Sequence, residues 1–396
     1  MTKPKLLVLG ASRYQLPTIK AAQSLGMHVV SMDNVPTNGG HAIADESCFI
    51  DTTDIEAVLS RCEQLELQGV ISPATDVAVA TAARVAERFN LPGPPVRAAD
   101  VLCSKEKFRQ LQRECGLPFP RCAAITGESS EIPGELRGGA CIIKPDGSSG
   151  SKGIFIVHSA EELARHLPES LRFSRWNRAI IEEYIVGHQG TLEAILDNGR
   201  IVASLLTDRL TPESKYTTTL GHLVPATLSD SVRLELERQV QLVCDTLGIK
   251  SGPLDCDFVV RDKTVYLLEM TPRLGGNSLS SLWMASLQID FVEYCVKYAC
   301  GMPCANPPSS SPQPTALLLL GVWKQGLLHF DDLEAERLAN EPWVKSLVWD
   351  HPRGATVSPF INGRYRVGEA VLQADSRAAL DERVAEFHRR LKLEAT

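Results

Sequence analysis

The chain has 396 residues, 44% hydrophobic and 22% charged, with a formal net charge of −7 at pH 7, which suits an ordinary globular protein of about two to four domains. The acidic balance gives no general electrostatic reason to bind nucleic acid or an anionic membrane, and no apolar run reaches the roughly 18 residues that span a bilayer. The 11 scattered cysteines form no CxxC pair, which argues against a disulfide framework or a zinc site.

The charged start MTKPKLLVLG runs straight into a strand without the body of a signal peptide, so a cytoplasmic location is expected. Residues 3–100 alternate strand and helix. Lys5 to Leu9 reads as an apolar strand, Leu16 to Leu25 as a helix ended by Gly26, His28 to Met32 as a second strand ending at Asp33, and Gly69 to Ser72 as a later one. That order predicts right-handed crossovers and an open parallel sheet, whose ligands bind beyond the carboxyl ends of the strands. Gly10-Ala11-Ser12-Arg13, Asp33 and Ala74-Thr75-Asp76 therefore share one edge. Asp33 stands where a dinucleotide site keeps its ribose-binding acid, but G-x-G-x-x-G is absent and a turn between βα units explains both features.

Leu91 to Pro95, LPGPP, breaks this first unit, and Ser104 is placed to cap a helix that starts at Lys105. Three segments are expected: 1–103 as an α/β domain, 104–302 as a two-lobed α+β domain with a small lobe over 118–186 and a large lobe over 187–302, and 303–396 as a linker with a β-rich α+β extension. A helix is expected over Ser229 to Leu247. Met302 to Pro314 is rich in Pro and Ser and reads as the linker. Beyond it, Thr315 to Val322, Val344 to Trp349 and Val367 to Leu372 read as strands and Arg377 to Leu391 as an amphipathic helix.

Three stretches of the middle segment carry chemistry. Cys141 to Val157 is strand, Gly/Ser loop and strand; glycine amides and serine hydroxyls there can donate to phosphate oxygens while Lys144 supplies a point charge, although a mobile hairpin tip has the same composition. Ala179 to Ile185 is an apolar strand ending in Glu182 and Glu183, able to offer a backbone edge to a purine or simply to end in solvent. Phe258 to Val260 and Thr264 to Leu268 flank a polar turn. With Asp262-Lys263-Thr264 as the loop, Arg261 faces Val265, Val259 faces Leu267 and Asp257 faces Glu269. Opposed carboxylates about 5 Å apart repel unless a cation lies between them, and Mg²⁺ takes one or two carboxylates together with substrate phosphates. A slip of one residue would separate the acids onto opposite faces, leaving two solvated acids on an edge hairpin.

In order and spacing, Lys105, the hairpin from Lys144 to Gly153, the hinge from Glu182 to Ile185, Glu193, Asp257 and Glu269-Met270-Thr271-Pro272-Arg273 resemble the ATP-grasp superfamily over nearly the whole chain. The resemblance implies an α/β pre-ATP-grasp domain, a two-lobed ATP-grasp domain, and ATP with Mg²⁺, or Mn²⁺ in its place, as cofactors. It implies that Lys105 and Lys144 hold phosphates and that Ser148, Ser149, Gly150 and Gly153 close as a lid. Glu182 would face the adenine amino group, Glu183, Tyr184 and Ile185 would supply backbone contacts, and Gln189 stands near where many members hold ribose with Glu. Asp257, Glu269 and Thr271 would hold metal, Thr271 standing where members commonly carry Asn. Arg273 would stabilise the transferring phosphoryl group, with Lys144 as its catalytic companion. Glu193, His222, Arg273, Gly275 and Gly276 would meet the substrate, with Lys215 to Thr219 in a nearby loop.

Arg273-Leu274-Gly275-Gly276-Asn277 resembles the amino-acid-ligase branch. The implied activity is the joining of a carboxylate, activated as acyl-phosphate, to an amine of the amino-acid or amino-sugar class, with release of ADP and phosphate. A bicarbonate- or formate-activating enzyme and a nucleotide-binding protein without catalysis are the alternatives. Small molecules, not nucleic acid or membrane, are the expected partners, and homodimers are common among similar proteins.

Overall fold

The computed structural model describes residues 3–127, 131–148, 150–212, 217–305, 307 and 310–396. Strands β1 (Lys5–Leu9), β2 (His28–Met32), β3 (Glu46–Cys48) and β4 (Leu67–Ile71) pair in parallel in the order β3-β2-β1-β4. Leu6 and Val8 of β1 enter one core while Leu7 and Leu9 enter another, as a parallel strand covered on both faces requires. The crossover direction reverses beside β1, which opens a crevice at the carboxyl ends of β1 and β4.

The helix Lys105–Glu114 begins where Ser104 predicts, with the Ser104 hydroxyl accepting the Lys107 N–H at 3.3 Å. After it come β5 (Cys122–Ile125), β6 (Cys141–Pro145), β7 (Phe155–Val157) and β8 (Ala179–Glu183), an antiparallel sheet in the order β5-β8-β6-β7. Leu163 and Leu167 of the helix Ala160–Arg172 pack on it, making a small lobe.

The larger lobe contains β9 (His188–Asp197), β10 (Arg200–Leu210), β11 (Gly221–Val224), β12 (Gly252–Arg261) and β13 (Thr264–Thr271). Helix Asp230–Leu247 buries Leu236, Val240 and Val243 against Cys256, Phe258 and Leu267 of the β12–β13 hairpin. Past the Pro-rich segment lie β14 (Thr315–Leu320), β15 (Gly326–His329), β16 (Val344–Trp349), β17 (Thr356–Val357), β18 (Gly368–Gln373) and β19 (Glu394–Ala395). Strands β14, β18 and β16 continue the sheet of the larger lobe, in the order β13-β12-β9-β10-β11-β14-β18-β16, and β15 forms a small separate sheet with β17 and β19. Residue 303 therefore divides stretches of chain but not sheets. Among the described residues no helix is long and apolar enough to cross a membrane.

The β12–β13 hairpin corrects one expectation and keeps its consequence. Its loop is two residues, Asp262 and Lys263, both left-handed at φ 51° and 66°, so Arg261 pairs with Thr264 and not with Val265 across the way. Continued regularly, that register would set Asp257 opposite Leu268. A β-bulge between Asp257 and Phe258 passes over Leu268 and restores the Asp257–Glu269 pair. Burial records the change of face: Val265 and Leu267 point into the core before the bulge, Met270 after it.

Candidate functional site

A cavity of about 730 Å³ lies where the three parts of the chain meet. The first sheet supplies the loops after β1, β2 and β4; the small lobe supplies Lys144 and the Gly/Ser loop; the large sheet supplies the acids of β12 and β13; and the C-terminal segment adds Gly363 and Arg364. The shared edge expected for the first sheet is thus one wall of the site. Asp33 has a local task there, its carboxylate accepting the Ala11 N–H at 2.9 Å and the Val35 N–H at 2.8 Å.

Two lysines stand on carboxylates. Lys105 Nζ is 3.0 Å from Glu269 Oε1 and donates to the Ser148 carbonyl at 3.2 Å. Burial opposes its charge, but the Glu269 carboxylate outweighs burial and its pKa is raised. Lys144 Nζ is 2.6 Å from Glu182 Oε2, and Arg109 Nε is 2.7 Å from Glu182 Oε1. Burial, with Arg109 close by, lowers the Lys144 pKa even though Glu182 pulls the other way. Glu182 is held down to about 2 because Arg109 and Lys144 overcome its burial. The role expected for Glu182 toward an adenine amino group therefore needs correction, since both carboxylate oxygens anchor cations. The hinge amides need the same correction: Glu183 N–H donates to Arg121 O at 2.8 Å and Tyr184 N–H to Ala140 O at 2.9 Å, so neither is free for a purine edge. Ile185 and Gln189 line the cavity.

On the opposite wall, Asp257 accepts the Thr191 hydroxyl at 2.6 Å and pairs with Arg209 at 2.8 Å. Glu269 shares its face and is open to the cavity, its side chain 35% exposed. Among the described residues no cluster of three or more acidic, His or Cys side chains could cage a metal by itself. Two hard carboxylates facing a phosphate-sized space fit Mg²⁺, which completes its shell with water and substrate oxygens. Thr271 is turned elsewhere, its hydroxyl donating to Asp76 at 3.1 Å, which corrects its expected place in the metal shell.

Arg273 lies between Asp76, 2.8 Å from Nε, and Asp255, 2.6 Å from Nη1. Burial pushes the Asp255 carboxyl up to about 7 against the pull of Arg273, with Asp257 and Asp76 adding repulsion. Glu193 is a further correction. It is 1% exposed and lies outside the cavity lining, its oxygens accepting the Gly275 N–H at 2.7 Å and the Trp283 indole N–H at 2.9 Å. Burial and the Asp255 charge raise its pKa to about 8. A Cβ on Gly275 would sit 2.5 Å from Glu193 Oε1, so this glycine serves the Glu193 contact and is itself outside the lining, whereas Gly276 reaches the cavity.

His222 is 2% exposed and lines the cavity. Burial, helped by Arg209, lowers its pKa to about 3, so the ring is neutral. Thr207 Oγ1 lies 3.3 Å from Thr191 O and 3.0 Å from His222 Nδ1, with which it shares a hydrogen bond. The buried Nε2 has no hydrogen-bond partner among the described residues. In the Gly/Ser loop, Ser148 and Gly150 line the cavity and Gly153 packs away from it beneath Phe173; Ser149, Lys215 and Tyr216 lie outside the described residues.

Residues 138–281 match the family model of the ATP-grasp domain. The chain carries an ATP-grasp domain. The chain is 26% identical, over 96% of its length and 80% of the relative's, to the uncharacterized protein y4rH of Sinorhizobium fredii. It is also 26% identical, over 82% of its length and 81% of the relative's, to a formate-dependent phosphoribosylglycinamide formyltransferase of Burkholderia cenocepacia. The L-amino acid ligase of Bacillus licheniformis shares the fold at a TM-score of 0.82 and 18% identity, with 100% of this chain and 99% of that one covered.

Sequence reasoning did not single out Asp255, Arg209 or Arg109 as site residues, and placed Asp76 at the sheet edge without a role. Asp255 had a signal, since it stands two residues from Asp257 on the same strand face. Arg109 had none, because its partners are 73 and 159 residues away.

Proposed function

We propose that this ATP-grasp enzyme phosphorylates a carboxylate with ATP and joins the resulting acyl group to an amine, releasing ADP and phosphate. The observation that carries this reading is the convergence of Lys105, Lys144, the opposed Asp257–Glu269 pair and Arg273 on one cavity. In this reading residues 1–103 and 303–396 supply walls for the acceptor substrates and 104–302 bind the nucleotide.

Lys105 and Lys144 neutralise the phosphate chain from two lobes, which aligns the terminal phosphate with the acid to be activated. Asp257 and Glu269 would hold Mg²⁺, whose charge, when bound, draws electron density from the phosphate oxygens. Arg273 stays charged and nearly buried at the point where negative charge builds as the carboxylate attacks, which is where a positioned cation contributes most. The neutral His222 ring leaves Nε2 to hydrogen-bond the incoming amine.

The test is an ADP-release screen over amino acids, hydroxy acids and sugar acids, each with and without added amines, followed by mass spectrometry of products. Hydroxylamine added to a positive reaction is expected to yield the hydroxamate of the activated acid. ADP release that no organic acid stimulates would sink the reading. The formate-dependent relative supports a second reading, activation of formate or bicarbonate, which predicts ADP release strictly dependent on one of those ions in the same screen.

A further inference from the structure

The two carboxylates that hold Arg273 are mounted differently. Asp255 belongs to β12, paired on both sides by β9 and β13. Asp76 hangs from the loop that follows β4 in another sheet, past Ala74 at φ 58°. That loop touches the ATP-grasp domain through Ala74 N–H on Leu274 O at 3.3 Å, the Thr271 hydroxyl at 3.1 Å, and Arg273 itself. Asp76, Asp255, Thr271 and Arg273 all line the cavity. One anion seat on Arg273 is thus fixed by a sheet, and the other is filled by a loop.

We propose that Asp76 and Arg273 form a charge pair that a zwitterionic substrate divides: the carboxylate of an α-amino acid takes the place of Asp76 on Arg273, and its ammonium group docks on Asp76. The inference rests on the ligase reading above, in which Arg273 receives the substrate acid. Separating two nearly buried charges leaves each uncompensated unless the ligand brings both opposites. A plain carboxylic acid restores only Arg273 and leaves Asp76 without the ion pair it makes there. A plain amine restores only Asp76. An amino acid satisfies both ends, and the Thr271 hydroxyl can stay on Asp76 throughout. Such a site discriminates against the analogue that lacks one polar group, because its own buried partner is then unpaired.

The test uses the full chain with MgADP bound and calorimetry against the common proteinogenic α-amino acids and their desamino analogues. At least one amino acid is expected to bind about 100-fold more tightly than its desamino analogue. The ratio should fall to about 3-fold or less in Asp76→Asn and recover in Asp76→Glu, with circular dichroism reporting the fold of each variant. Should Asp76→Asn not fold, the wild-type ratio decides alone. Equal binding of both analogues, no binding by any panel member, or a preference that survives Asp76→Asn would overturn the proposal. Failure of the ligase reading looks different: amino acids bind with the expected preference, yet ATP turnover yields no ADP with any amine.

Discussion

Lys144 meets Glu182 at 2.6 Å and Lys105 meets Glu269 at 3.0 Å, and both pairs line the same cavity, but their surroundings differ. Glu182 is fully buried and carries Arg109 as a second cation. Arg109 in turn donates to the carbonyls of Leu267 and Leu268, at 3.2 and 2.7 Å. This pair therefore belongs to a closed network that ties the hinge strand β8 to the bulge of β13. Glu269 is open on the cavity side, and its pKa is lowered because Lys105, with help from Lys144 and Arg273, outweighs its burial. A buried carboxylate with two cations is an anchor; a half-open one with room beside it can exchange partners for metal and phosphate. Similar distances thus support different functions, and the accessibility of the acid separates them.

The largest effect expected from this contrast is on stability. Glu182→Gln leaves Arg109 and Lys144 buried without their counter-charge, which should destabilise the protein by about 3–5 kcal/mol in denaturant unfolding; an unchanged midpoint would show that Glu182 is not an anchor. Glu269→Gln should shift the balance, lowering ADP-forming turnover about 100-fold or more while costing less stability than Glu182→Gln, because it strands only Lys105 and not two cations. A large loss of stability with turnover intact would exchange the two roles.

Acid titration sharpens the same comparison. The folded pKa of Glu182 is depressed from 4.5 to about 2, so its stabilisation is present in full above pH 4.5 and disappears as pH falls toward 2. Wild type should therefore lose stability across that window with a slope that Glu182→Gln lacks, measured by urea unfolding at stepped pH. The smallest effect belongs to Arg261→Ala, which removes one of two arginines from the partly exposed Glu183. Roughly 0–1 kcal/mol is expected, and a loss as large as that of Glu182→Gln would remove burial as the deciding variable.

Much of the architecture was legible in the chain. β2, β16 and the helix Arg377–Leu391 end on the residues that apolar runs and caps predict, because those signals are local. The chain did not reveal that β14, β18 and β16, past the Pro-rich segment, join the sheet begun by β9; strand order depends on which edges remain unpaired after the rest of the chain has folded. In the site, lysines and acids were found as types at a spacing. Their partners were not, so Glu193 was expected to meet substrate and instead supports Gly275 from behind.

The hairpin acids divide most sharply between the two levels. The chain alone showed that Asp257 and Glu269 lie on two strands of one hairpin, since β-branched and apolar runs flank a polar turn. It predicted their pairing through a loop of three residues, and the loop has two. The final register came from a distant element: Arg109 and Gln112, reaching from the helix Lys105–Glu114, bond the Leu267 and Leu268 carbonyls where the bulge interrupts the ladder. A bulge leaves backbone groups that its own hairpin cannot satisfy. Donors from a distant helix supply what the local sequence could not, and the two carboxylates come to share a face.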